Sequence, residues 1–184
     1  MIIRLANPLQ QDSIVDGEGI RMVLWTQGCS HNCPGCHNPN THSFDGGFLK
    51  QVDEIKKEIS QVKNHDGITL SGGDPFFQID SCLEIAKFCK EQGLNVWCYT
   101  GFTFEELMTL NRFNKKVKEF LSYIDVLIDG KFIESEKSLT LKFRGSRNQR
   151  VLNVKDSLKK EKPVWIKKYK VNSKNIKNKE RLFV

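Results

Sequence analysis

Cys29, Cys33 and Cys36 stand at C-x3-C-x2-C within one short stretch, Gly28-Cys29-Ser30-His31-Asn32-Cys33-Pro34-Gly35-Cys36-His37. Three thiolates so close together, with Gly28, Pro34 and Gly35 to bend the backbone, can converge on one metal centre. Two kinds of centre suit them. A structural zinc site closes with four ligands, and His31 or His37 would supply the fourth. A cubane iron–sulfur cluster held by three thiolates keeps one iron free for a further ligand. A disulfide is not expected, because nothing in the chain points to an oxidising compartment.

Two further stretches carry chemistry. Ser71-Gly72-Gly73-Asp74-Pro75 follows the apolar run Ile68-Thr69-Leu70. Paired glycines at a strand end let a ligand approach the backbone, Asp74 suits a cationic amine, and Pro75 can open a helix. Taken alone the same residues make an ordinary turn. Arg144-Gly145-Ser146-Arg147-Asn148-Gln149-Arg150 is a basic, glycine-bent loop suited to phosphate or carboxylate, or simply solvated.

The cysteine spacing resembles the signature of the radical S-adenosylmethionine (SAM) superfamily. Asp16-Gly17-Glu18-Gly19-Ile20-Arg21, with Gly28-Cys29 and Cys33-Pro34-Gly35-Cys36-His37-Asn38, is similar to the activating enzymes of glycyl-radical proteins. The segment Arg144–Arg150 is most similar to the activators of anaerobic ribonucleotide reductases. Two departures are visible. Gly35 stands where many such loops carry an aromatic residue, and Glu18 stands where related activators often have proline.

The resemblance covers roughly residues 12–152 and implies an α/β fold, an incomplete TIM-like β/α barrel of the radical SAM type, open on one side. It implies one 4Fe–4S cluster on Cys29, Cys33 and Cys36, with the free iron chelated by SAM. Gly35, Cys36 and His37 would lie beside the adenine. Gly72, Gly73 and Asp74 would hold the methionyl amine, with Asp129 and Lys131 as secondary ligands. The implied reaction is reductive cleavage of SAM to methionine and a 5′-deoxyadenosyl radical, which takes a hydrogen atom from a glycine Cα of the partner. An external electron donor such as flavodoxin or ferredoxin is implied, and no catalytic residue beyond the cluster and SAM. The partner is expected to be an anaerobic ribonucleotide reductase, met through Arg144, Arg147 and Arg150. Pyruvate formate-lyase or another glycyl-radical enzyme is the alternative partner. A zinc-stabilised basic binding module is the alternative of a different class.

The elements that must position these residues follow from pattern. Residues 1–20 read as a lead-in, and 21–27 as a buried strand feeding the cysteine loop. Val52, Ile55, Ile59 and Val62 recur at helical spacing, predicting a helix over about 50–63. Ile79, Cys82, Leu83, Ala86 and Cys89 stripe a second helix, where the two cysteines serve as small core residues. Leu94–Tyr99 and 124–128 read as strands. Thr103 with Glu106 predicts a capping box, and the apolar pattern from Leu107 to Leu121 is interrupted at Asn111–Lys116. Alternating strand and helix argue for a parallel α/β sheet.

Composition narrows the class. With 184 residues, one domain with a full core is expected. There is no apolar run near membrane-spanning length and no secretory signal pattern, so no membrane partner and a cytoplasmic location are expected. The net charge of +7 is local. Residues 155–184 hold eleven basic and three acidic side chains, leaving 18 basic and 19 acidic elsewhere. A radical SAM domain at 1–154 and a basic extension at 155–184 are therefore expected, with Pro163–Ile166 as one last strand. Aromatic stacking platforms are too sparse in the extension to predict nucleic-acid binding.

Overall fold

The computed structural model describes residues 1–170. One eight-stranded mixed sheet organises it: β1 (Ile2–Leu5), β2 (Gln10–Ser13), β3 (Arg21–Thr26), β4 (Phe48–Gln51), β5 (Gly67–Gly72), β6 (Asn95–Tyr99), β7 (Val126–Asp129) and β8 (Arg150–Asn153). The spatial order is β4-β1-β3-β5-β6-β7-β8, with β2 also paired to β3. Parallel pairing is confined to the ladder β3-β5-β6-β7; β1, β2 and β8 join it antiparallel, and β4 pairs antiparallel with β1. The sheet is therefore open and mixed rather than wholly parallel.

Five helices complete the α/β arrangement: α1 (Val52–Gln61), α2 (Ile79–Glu91), α3 (Phe104–Leu110), α4 (Lys116–Ser122) and α5 (Val154–Lys160). Side chains alternate across each strand, and this splits the apolar residues between two faces. Val96 and Cys98 of β6 join Ile55, Cys82, Ala86 and Phe120 in the helix-covered core. Trp97, between them, packs on the other face with Ile128, Val151 and Tyr169. Cys82, Cys89 and Cys98 are fully buried, the first two as their places on the helical stripe predict.

Several local expectations are corrected. The lead-in holds two strands, β1 and β2. The first helix begins at Val52, because Phe48–Gln51 pair with β1 from Leu5↔Phe48 to Ile2↔Gln51. Hydrogen bonding to a strand more than forty residues away overrides the local pattern and makes these residues the edge of the sheet. The Thr103–Glu106 capping box is present at the start of α3. At the polar interruption, Asn111 and Asn114 side chains accept from the Lys118 and Lys116 backbone N–H groups and separate α3 from α4.

The expected boundary between 154 and 155 falls inside α5, whose Val154 and Ser157 are buried and whose N-cap, Asn153, accepts from Asp156 N–H. Pro163–Ile166 runs extended beside β8, bonded from Asn153 N to Val164 O and from Ile166 N to Val151 O. Tyr169 then packs edge-on against Phe143 and Trp97. Part of the basic segment thus belongs to the folded body, and its lysine- and asparagine-rich remainder, 171–184, lies outside the described residues. No helix among the described residues is long and apolar enough to cross a membrane.

Candidate metal and cofactor site

The cysteine loop leaves the end of β3 and is closed at its base by backbone pairing. Gly28 N donates to Thr41 O and Cys29 N to His42 O, at 2.9 and 3.0 Å. Gln27 Nε2 donates to Asn40 O and Ser43 O, fastening the returning chain. Within the loop, Cys36 N donates to Cys33 O and Asn38 N to Cys36 Sγ. Gly35 makes the turn at φ +69°, where a Cβ would also strike Glu134. Cys29 is buried, whereas Cys33 and Cys36 are half-buried.

A cleft of about 150 Å³ opens at the C-terminal ends of the parallel strands. Cys29, Cys33, Cys36, His37, Gly72 and Gly73 all line it. Residues 43 positions apart in sequence, Cys29 and Gly72, therefore face one space. Gathering ligands at such strand ends is the rule in open α/β sheets. His31 and His42 line the cleft as well as His37; with the other three cysteines in the core, its sulfur donors are a set of three thiols. That set matches a cubane with one open iron.

The glycines at the end of β5 have a second reason to be glycines. Gly72 adopts φ +104°, and a Cβ there would come within 2.4 Å of Thr26 O. A Cβ on Gly73 would lie 2.4 Å from Gly28 O. The end of β5 is also bonded to the loop base by Gly73 N to Thr26 O and Asp74 N to Gly28 O. Close chain approach thus fixes both residues, and the same bareness leaves their backbone open to the cleft.

The charged candidates are placed differently. Asp74 lies beneath the cleft, buried, with its carboxylate turned to Phe76 N, His31 Nε2, Thr100 Oγ1 and Gly101 N. Asp129 is fully buried and receives Arg150 and Phe104 N. Burial raises its pKa although Arg150 pulls the other way. Lys131 is exposed. Arg144 is buried, donates to Gln149 O and Tyr169 O, and lies over the Trp165 ring. Arg150 pairs with Asp129 and Glu105. Arg147 is exposed. Two of the three arginines expected at a partner surface are thus turned into the fold.

Several lining residues escaped the sequence reading. Tyr99, Thr100, Gly101, Gly130, Phe132 and Gln149 also face the cleft. Most stand at or just beyond the ends of β6 and β7, so the strand-end rule, applied to every parallel strand, would have found them. Tyr99 is anchored by its hydroxyl donating to Phe143 O, and Gln149 Nε2 donates to Gly130 O. Burial pushes the Cys29 thiol up to about 11, with Asp74 and the other two cysteines adding to the rise and the His31 backbone N–H opposing it.

A three-thiol loop beside a glycine-paved strand end defines the class first. Residues 15–152 match the 4Fe-4S single cluster domain family. The chain is 36% identical over 146 residues to a Haemophilus influenzae protein, covering 74% of this chain and 89% of that one. It is 35% identical over 144 residues to an Escherichia coli K12 protein, covering 74% and 90%, and 35% identical over 153 residues to an enterobacteria phage T4 protein, covering 78% and 90%. Each of these is named anaerobic ribonucleoside-triphosphate reductase-activating protein. The chain belongs to this family of activating proteins.

Proposed function

We propose that this chain activates an anaerobic ribonucleotide reductase as a radical SAM enzyme, generating a glycyl radical on it. The carrying observation is that Cys29, Cys33 and Cys36 share one cleft with the bare backbone of Gly72 and Gly73. Its open, mixed sheet is read as a partial barrel whose uncovered end admits a loop of another protein.

The three cysteines would hold a 4Fe–4S cluster, and the backbone around Gly72 and Gly73 would receive the methionine end of SAM. When bound, the reduced cluster supplies the electron that cleaves the S–C5′ bond of SAM, so that a hydrogen atom can be taken from a glycine Cα of the partner. The residues of the chain itself bind, orient and shield. Cys29, Cys33 and Cys36 would bind as thiolates, so loading would release their protons. Tyr99 and Phe132 wall the cleft against water. Asp129, filled by Arg150 and Phe104 N, supports the wall from below rather than facing the cleft.

The test is to mix anaerobically reconstituted, reduced protein and SAM with the reductase, or with pyruvate formate-lyase, from one organism. Electron paramagnetic resonance should show a glycyl radical on the reductase, altered by deuterium at glycine Cα. A signal on pyruvate formate-lyase alone would transfer the chain to that activator class. Tight zinc without sulfide would replace the cluster by a zinc-stabilised module.

A further inference from the structure

Three segments of the chain meet on one carboxylate. Asp74 is 1% exposed. Its Oδ1 accepts from Phe76 N at 2.9 Å, and its Oδ2 accepts from His31 Nε2 at 2.8 Å, Thr100 Oγ1 at 2.9 Å and Gly101 N at 2.9 Å. The donors come from the turn after β5, the cysteine loop and the end of β6. Three donors fill Oδ2, and Oδ1 is turned to Phe76 N within the buried turn, so a ligand ammonium could reach this carboxylate only by moving a group that covers it.

His31 connects this hub to the cysteines. It stands between Cys29 and Cys33 in sequence. Its ring is held edge-on by Phe102 at 4.6 Å and tilted against Phe77 at 5.6 Å. A Cβ at Gly101 would come within 2.3 Å of that ring, so the bare backbone there makes its seat. The side chain is 8% exposed. A histidine packed so closely, with Nε2 on a buried acid, fixes the direction of the loop that carries it.

We propose that His31 and Asp74 form a buried pair that locks the cysteine loop to the ends of β5 and β6, making both positioning residues for the cluster, with Asp74 not the group that takes the amine of SAM. This rests on the cluster reading above. It predicts that the pair acts before any SAM is present.

The experiment reads three quantities on the reconstituted holoprotein without SAM, the midpoint potential, the spectrum of the reduced cluster and the rate of iron loss to a chelator, and in a separate arm the affinity for SAM. His31→Phe keeps the ring among Phe77 and Phe102 but removes the donor. His31→Gln returns an N–H near the lost Nε2. Asp74→Asn weakens the same hub. His31→Phe and Asp74→Asn should each speed iron loss roughly tenfold, the scale of one lost charge-assisted hydrogen bond, and shift potential and spectrum in the same sense. The double variant should be no worse than either single one. His31→Gln should return within about threefold of wild type, since it restores the donor.

A His31→Phe protein indistinguishable from wild type, with Asp74→Asn losing only SAM affinity, would overturn the proposal and make Asp74 the amine ligand. If His31→Phe loads no cluster, the glutamine variant decides. Restored loading supports the pair, and loading still absent overturns it. A wild-type protein that assembles no cluster would overturn the functional reading and the proposal together. A stable wild-type cluster with unaltered variants overturns the proposal alone.

Discussion

Arg150 lies across Asp129 in a two-point pair, with Nε 2.9 Å from Oδ1 and Nη2 meeting Oδ2. The carboxylate is fully buried and also accepts from Phe104 N, at the start of α3. One ion pair thereby ties β7, β8 and α3 together directly beneath Gly130, which lines the cleft.

Arg150→Ala leaves that carboxylate buried without its cation. The expected cost is about 3–5 kcal/mol, the range for removing one partner of a buried pair. Arg150→Lys should recover only part, because an ammonium cannot make the two-point contact. Thermal or urea unfolding measures both. The pH dependence has a definite sign. Burial already raises the Asp129 pKa, and Arg150 opposes the rise. Without Arg150 the folded-state pKa climbs further above the unfolded value. Protonation then favours the folded variant, and stability is lost as pH rises through that pKa. The deficit against wild type should therefore narrow from neutral to mildly acid pH.

Iron and sulfide analysis separates the six cysteines into two groups. Anaerobically reconstituted protein should carry about four irons per chain, the cubane stoichiometry. Cys29→Ala, Cys33→Ala or Cys36→Ala should each abolish the cluster. Cys82→Ala, Cys89→Ala and Cys98→Ala should keep it and lose about 1 kcal/mol of stability each, the cost of a small cavity in the core.

Gly73→Ala is the sharpest test of the strand end. The added Cβ meets the Gly28 carbonyl, which is backbone and cannot swing aside. Overpacking of about 1–3 kcal/mol is expected. Because Gly28 adjoins Cys29, cluster loading should fall together with SAM binding. Tight SAM binding and full iron content in this variant would show that the loop tolerates displacement.

Arg144→Ala distinguishes an internal support from a docking contact. Its guanidinium bonds Tyr169 O and Gln149 O and lies 5.1 Å from the Trp165 ring centre. Losing these bonds should cost about 2 kcal/mol, the scale for hydrogen bonds to a charged group. The segment around Trp165 and Tyr169 should also become cleavable by protease. A variant of wild-type stability that merely binds the reductase more weakly would restore the docking role.

Local information was enough wherever the partner lay within a turn or two. The C-x3-C-x2-C spacing places three thiols in one loop whatever surrounds it. The Thr103–Glu106 capping box closes over three residues, and the stripe of α2 buries Cys82 and Cys89 by helical period alone. Strand ends at Gly72 and Asp129 were legible because apolar runs stop at glycine-bearing turns. What the charged residues do was decided only by the tertiary structure. Asp74 meets His31 across 43 residues, Asp129 meets Arg150 across 21, and Arg144 meets Tyr169 across 25. β4 and β8 likewise exist as strands because β1 and β7 present free edges to them. Three thiols at this spacing stay within one loop whatever surrounds them. A carboxylate or guanidinium binds a ligand or braces the fold according to which opposite charge the chain carries to it, and sequence spacing holds no record of that meeting.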